Sequence, residues 1–153
     1  MTAAENTHFN FPPSSPAYGK YKSYSYRFDT PGKSVVFTGD TGPSDAVLKL
    51  AKGADVLVSE IDDVDELVDV YKKNGTWAAK TPEEQRDWLR HQNEEHLSPQ
   101  AVGELATKAG VRFVILTHLV PSADPNDSYE RLAVKVRRFY SGDVRVAKDL
   151  ERF

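Results

Sequence analysis

The chain has no cysteine among its 153 residues, so any metal must be held by imidazole and carboxylate, and neither a disulfide nor a thiolate nucleophile is available. Its four histidines are His8, His91, His96 and His118. The one close pair, His91 and His96, is five apart, a poor helical spacing for sharing an ion, and His91 reads as a solvated helix residue. The run Thr38-Gly39-Asp40-Thr41-Gly42 sets an aspartate between glycines, where backbone can approach closely and the carboxylate can reach a metal without crowding. The plainer reading of that run is a strand-to-helix turn in which Asp40 caps backbone amides.

The elements around these residues place them at strand ends. After a short extended start, 11–21 is rich in Pro, Ser, Gly and Tyr and reads as a surface loop able to overhang a site. Lys22 to Thr30 alternates, with Tyr24, Tyr26 and Phe28 on one side, and Pro31-Gly32 turns it into the β-branched and aromatic run Ser34 to Phe37 as a hairpin. Asp40 then lies at a strand exit. Pro43 suits a first helical turn, Val47, Leu48 and Ala51 follow at helical spacing, and Ala54 to Glu60 reads as a buried strand. Asp62 to Asn74 is an amphipathic helix ending at Gly75, and Thr81-Pro82-Glu83-Glu84 opens another with a capping box. Ser98-Pro99 starts a third, with Val102, Leu105, Ala106 and Ala109 inward, which leads through Gly110 to the strand Phe113 to Leu116 and puts His118 at its exit. Tyr129 to Tyr140 is a last helix with Leu132, Val136 and Phe139 inward, followed by a strand from Val144 to Ala147. The expected fold is α/β, a mixed β-sheet with flanking helices in one domain over 1–153, with Asp40, Glu60 and His118 at strand ends where sites form.

Composition narrows the partners. A net charge of −3 exerts no global pull toward nucleic acid or anionic membrane, and a polyanionic substrate is neither favoured nor excluded. The basic residues Arg131, Lys135, Arg137 and Arg138 read as a solvated helix face, and the tyrosines at 18, 21, 24 and 26 as packing rather than base stacking. The start lacks the basic and apolar stretches of a signal peptide, and no apolar run has membrane-spanning length, so a soluble cytoplasmic protein is the base expectation.

Four ordered motifs carry more information than any single one. Val35 to Gly42, Gly53 to Glu60, Glu95-His96-Leu97-Ser98-Pro99 and Leu116-Thr117-His118 together resemble metallo-β-lactamase-fold hydrolases, with the ribonuclease Z-like branch nearest. The resemblance runs in order from Asn6 to His118. It implies that His8 is a ligand of one zinc, that Asp40 bridges two zincs and that His118 binds the second. It also makes Glu60 and His96 a proton-shuttle pair, the carboxylate orienting an imidazole that protonates the leaving group. Leu97-Ser98 departs from the family's usual His-Ser-Thr there. Asp-Thr-Gly also resembles the triplet of retroviral-type aspartic proteases, but those are all-β and place an apolar pair before the aspartate, where this chain has Gly39.

The implied chemistry is hydrolysis of a phosphodiester, ester, lactone or lactam bond by water activated between two zinc ions. The family's His-x-His-x-Asp-His segment occurs nowhere in this chain. The resemblance therefore implies the C-terminal half of an αββα fold, with one partial zinc site at most and little or no activity alone. Such a half should expose apolar surface or a sheet edge, which points to self-association or to a complementing N-terminal half. The alternatives are a non-catalytic binding or assembly module that keeps the fold, and one subunit of a split hydrolase.

Overall fold

The computed structural model describes residues 1–121 and 126–153. Six strands, β1 (Thr2–Glu5), β2 (Tyr24–Asp29), β3 (Ser34–Phe37), β4 (Val56–Asp62), β5 (Phe113–Val120) and β6 (Asp143–Val146), form one sheet in the order β1-β2-β3-β4-β5-β6. The first three are antiparallel neighbours and the pairs β3/β4, β4/β5 and β5/β6 are parallel, which is the expected mixed sheet. The helices are α1 (Asp45–Ala51), α2 (Val64–Lys73), α3 (Pro82–Glu95), α4 (Pro99–Ala109) and α5 (Glu130–Val136). Among the described residues no helix is long and apolar enough to cross a membrane.

Local chemistry accounts for the helix bounds. Ser44, Asp63, Thr81 and Ser98 each accept a backbone N–H in the first turn of the helix that follows, and Thr81 with Glu84 completes the capping box. Pro43 therefore precedes a cap at Ser44 instead of opening the helix. Gly110 ends α4 at φ 66°, a conformation that a side chain would strain.

Two-residue alternation sorts the strands into two faces. On one, Val36, Leu57, Val114, Leu116 and Val144 are fully buried and form one core with Leu50, Val102, Ala106, Leu132 and Val136 from α1, α4 and α5. Gly103 in α4 lets that helix approach the end of α5, since a Cβ there would lie 2.8 Å from the Val136 carbonyl oxygen. The opposite face carries Tyr24, Tyr26, Phe28 and Phe37, all about 40% exposed, so the expected apolar surface exists. Tyr18 and Tyr21 are exposed as well, and Tyr21 packs at the surface on Phe9 and Phe11.

One other expectation sharpens and two change. The extended start is a strand, β1, paired with β2 from Thr2↔Arg27 to Glu5↔Tyr24. The last helix ends at Val136, so residue 139 leaves the 3.6-residue period: Phe139 is exposed, and Tyr140 turns inward and donates to the Val111 carbonyl at 2.9 Å. Strand β5 runs on to Val120, with a register shift against β4 that places Thr117 and His118 in a bulge instead of beyond the strand. The basic residues of α5 do face neighbouring acids: Arg131 pairs with Glu66 and Asp127, Lys135 with Asp63 and Glu66, and Arg137 with Glu130.

Candidate metal centre

Asp40, Glu60 and His118, from the ends of β3, β4 and β5, are joined by His8 after β1 and His96 after α3. Asn6 fastens the His8 segment, donating through Nδ2 to the Thr38 carbonyl at 3.2 Å and accepting the His8 N–H at Oδ1 at 3.2 Å. Gly39 supplies the turn before Asp40 at φ 59°. Gly42 lets the end of α3 close over that turn: a Cβ there would stand 1.7 Å from the Glu94 carbonyl oxygen. The loop 11–21 is held beside His8 by aromatic contacts, Phe9 with Phe11 at 6.1 Å and Phe9 with Tyr21 at 5.9 Å between ring centroids.

Two groups of potential ligand atoms, each within 4.8 Å, occur among the described residues: His8, Asp40 and His96, and Asp40, Glu60 and His118. Asp40 is common to both, and its Oδ2 lies 3.7 Å from His118 Nε2. Glu60, only 1% exposed, is fully engaged. Its Oε1 accepts the Thr41 N–H at 2.6 Å and its Oε2 lies 2.7 Å from His96 Nδ1. His8 Nδ1 lies 3.1 Å from the Glu95 carbonyl oxygen, an acceptor only, so Nδ1 carries the proton. His118 is held differently, half-exposed at φ 45°.

The charges of the site act together. Burial opposes the protonated form of His96, but the hydrogen bond and charge of Glu60, with Asp62 and Asp40 behind, outweigh it and raise the pKa above the usual 6.5. Asp62 is 1% exposed, and among the described residues neither of its side-chain oxygens has a hydrogen-bond partner. Burial, with Glu60 and Asp63 adding to it against His96 and His118, pushes its carboxyl up to about 6.

All five residues singled out from sequence thus converge, although His8 and His118 fall in different groups. His91 is a helix residue with 42% of its side chain exposed, as expected, but it also makes contacts. Its Nδ1 lies 3.0 Å from Glu95 Oε2, a carboxylate only 7% exposed, and its ring centroid lies 5.3 Å from that of His96. His91 and His96 do not share a donor group, as their spacing implied, and the rings meet because α3 ends at Glu95 and His96 is extended, at φ −132° and ψ 163°. Asp62 was missed because nothing in Ile61-Asp62-Asp63 distinguishes a capping aspartate from a buried one: Asp63 caps α2 and Asp62 points inward.

The sequence profile of the β-lactamase superfamily domain matches residues 1–119. The chain belongs to that superfamily. Within it, the chain is 30% identical over 127 residues to a putative ribonuclease Z of Mycobacterium tuberculosis (strain CDC 1551 / Oshkosh), covering 83% of this chain and 50% of the relative. It is 31% identical over 123 residues to a ribonuclease Z of Brevibacillus brevis, covering 78% and 32%. The chain therefore spans half or less of these relatives, and its place is in the ribonuclease Z-like branch. The crystal structure of the metallo-β-lactamase fold protein YhfI from Bacillus subtilis superposes with a TM-score of 0.58 at 21% identity, over 84% of this chain and 42% of that one, which shows the fold. The fold implies metal binding, and this donor set suits it: two imidazoles with protonated or carboxylate-bound Nδ1 atoms and a shared carboxylate are ligands for a borderline divalent ion.

Proposed function

We propose that this superfamily member is the metal-bearing portion of a zinc-dependent hydrolase of phosphodiester or ester-type bonds, completed by a segment that supplies the remaining ligands. The observation that carries the reading is the buried Glu60 bonded to His96 beside Asp40, a carboxylate–imidazole pair that shares its site with a second carboxylate and a second imidazole, His8. His8, Asp40 and His118 would hold metal, with Asp40 shared between the two groups. Metal in such a site supplies a Lewis acid and lowers the pKa of water to about 7. Glu60 holds His96 in one tautomer, and the raised imidazole pKa suits a group that gives a proton from Nε2 to a leaving oxygen. Because the relatives are named ribonuclease Z, an RNA phosphodiester is the substrate class to try first.

The open aromatic face favours a second reading, a binding or assembly module that keeps the fold without catalysis. One experiment separates the two. The chain is co-expressed with a metallo-β-lactamase N-terminal half carrying His-x-His-x-Asp-His, and metal content and hydrolysis of a generic phosphodiester are measured. The hydrolase reading expects activity that His96→Ala lowers by about 100-fold or more. A stable complex with zinc but without hydrolysis would leave the assembly reading.

A further inference from the structure

Aromatic rings contact one another from the loop 11–21 into the metal centre. Tyr21 lies 5.9 Å from Phe9 and 6.1 Å from Phe11 between ring centroids, Phe9 and Phe11 lie 6.1 Å apart with their planes within 8°, and Phe9 lies 4.9 Å from the imidazole of His8. The loop has other supports for its shape. The Asn6 N–H donates to the Ser23 carbonyl at its base, and turns closed by Ser15 N–H to Pro12, Tyr18 N–H to Ser15 and Lys20 N–H to Ala17 fold it on itself. Stapling the loop also leaves ring surface unused, since Phe9 is 41% and Tyr21 58% exposed.

We propose that Phe9, Phe11 and Tyr21 form a stacking platform for an unpaired base of single-stranded RNA, beside the phosphate that the metal centre takes. The inference deepens the preceding reading and rests on it in taking an RNA phosphodiester as substrate. For Tyr21 it reverses the expectation that the tyrosines serve packing rather than base stacking. Every base has a π-face, so exposed rings accept any base, and the base must be free of a duplex to use them. Because the Phe9 ring rests against His8, a base on Phe9 brings the backbone of its own nucleotide within reach of the metal-binding imidazole. The local charge agrees. Lys22 is paired with Glu5 at 2.7 Å, whereas Lys20, next to Tyr21 in the chain, is exposed and in no ion pair among the described residues, which leaves its ammonium for a backbone phosphate.

The test is fluorescence anisotropy of a labelled single-stranded RNA hexamer with the full chain, against a duplex of the same sequence. The wild type should bind the single strand in preference to the duplex. Phe9→Leu and Tyr21→Leu keep apolar bulk but lose the flat ring, and each should weaken binding about 5- to 150-fold, while Tyr21→Phe should bind as the wild type does. Lys20→Gln should lower the slope of log affinity against log salt by about 0.7, the share of one phosphate on a single strand. In Tyr21→Trp, RNA should quench the emission of the added indole beyond any change in the wild type, a signal that a folding defect does not produce. Undiminished binding in both leucine variants, no preference over the duplex, no added quenching in Tyr21→Trp, or no binding by the wild type would each overturn the proposal. Failure of the complemented chain to hydrolyse a phosphodiester would sink the hydrolase reading and leave these binding results standing.

Discussion

The two faces of the sheet are made of the same strands and differ in almost everything else. The helix-covered face is aliphatic and closed, with Leu57, Val114 and Leu116 fully buried. The other is aromatic and open over β2 and β3, with Tyr26 set opposite Phe37 and Phe28 edge-on to Phe37 at 5.9 Å. Branched aliphatic side chains interlock with helices at interior density, whereas flat rings with a polar tip tolerate water and still offer a large contact area. The difference teaches that the helix-packed face carries most of the core, while the hairpin part of the other face leaves its rings available for contact.

Leu57→Ala or Leu116→Ala tests the closed face most severely. Each should lower unfolding free energy by about 2–5 kcal/mol in urea denaturation, through lost burial and a residual cavity. Next comes Asp62, which lies at the end of β4 and is as buried as those leucines. Its carboxyl rises from 3.8 to about 6, so the folded state binds the proton more tightly than the unfolded chain. Stability should therefore fall as pH rises from about 4 to 6, by roughly 3 kcal/mol at full ionisation. The raised pKa of His96 acts in the same sense, its stabilisation being lost as pH rises through the folded value. Asp62→Asn should flatten the first part of that slope in thermal melts between pH 4 and 7, and an unchanged slope would show that Asp62 does not carry it. The smallest effect belongs to the open face: Tyr26→Ser with Phe37→Ser should alter monomer stability by only about 1 kcal/mol in total. The same pair should weaken self-association or capture of a complementing half in analytical ultracentrifugation, and a loss as large as at Leu57 would erase the contrast between the faces.

Much of this was legible in sequence because the signals were local. Caps at Thr81 and Ser98, alternation in Tyr24 to Phe28 and the ordered motifs around Asp40, Glu60, His96 and His118 each report on a few neighbouring residues. What escaped depends on long-range geometry. The pairing of β1 with β2 spans the intervening loop, the bulge at His118 comes from register against β4, and the partnerless state of Asp62 follows from what surrounds it in space. His91 joined the other histidines only because α3 stops one residue before His96.

Helix α3 buries none of its residues except Glu95, and α2 buries none, so the pair leans on the rings of Tyr71, Trp77 and Trp88, with centroids 5.2 Å and 5.6 Å from Trp88. The body of α3 is thus lightly anchored, while the buried Leu97 and the Glu94 carbonyl against Gly42 hold the end that delivers His96. A ligand that grips His96 should therefore slow amide exchange along α3 and leave the exchange of the sheet strands unchanged.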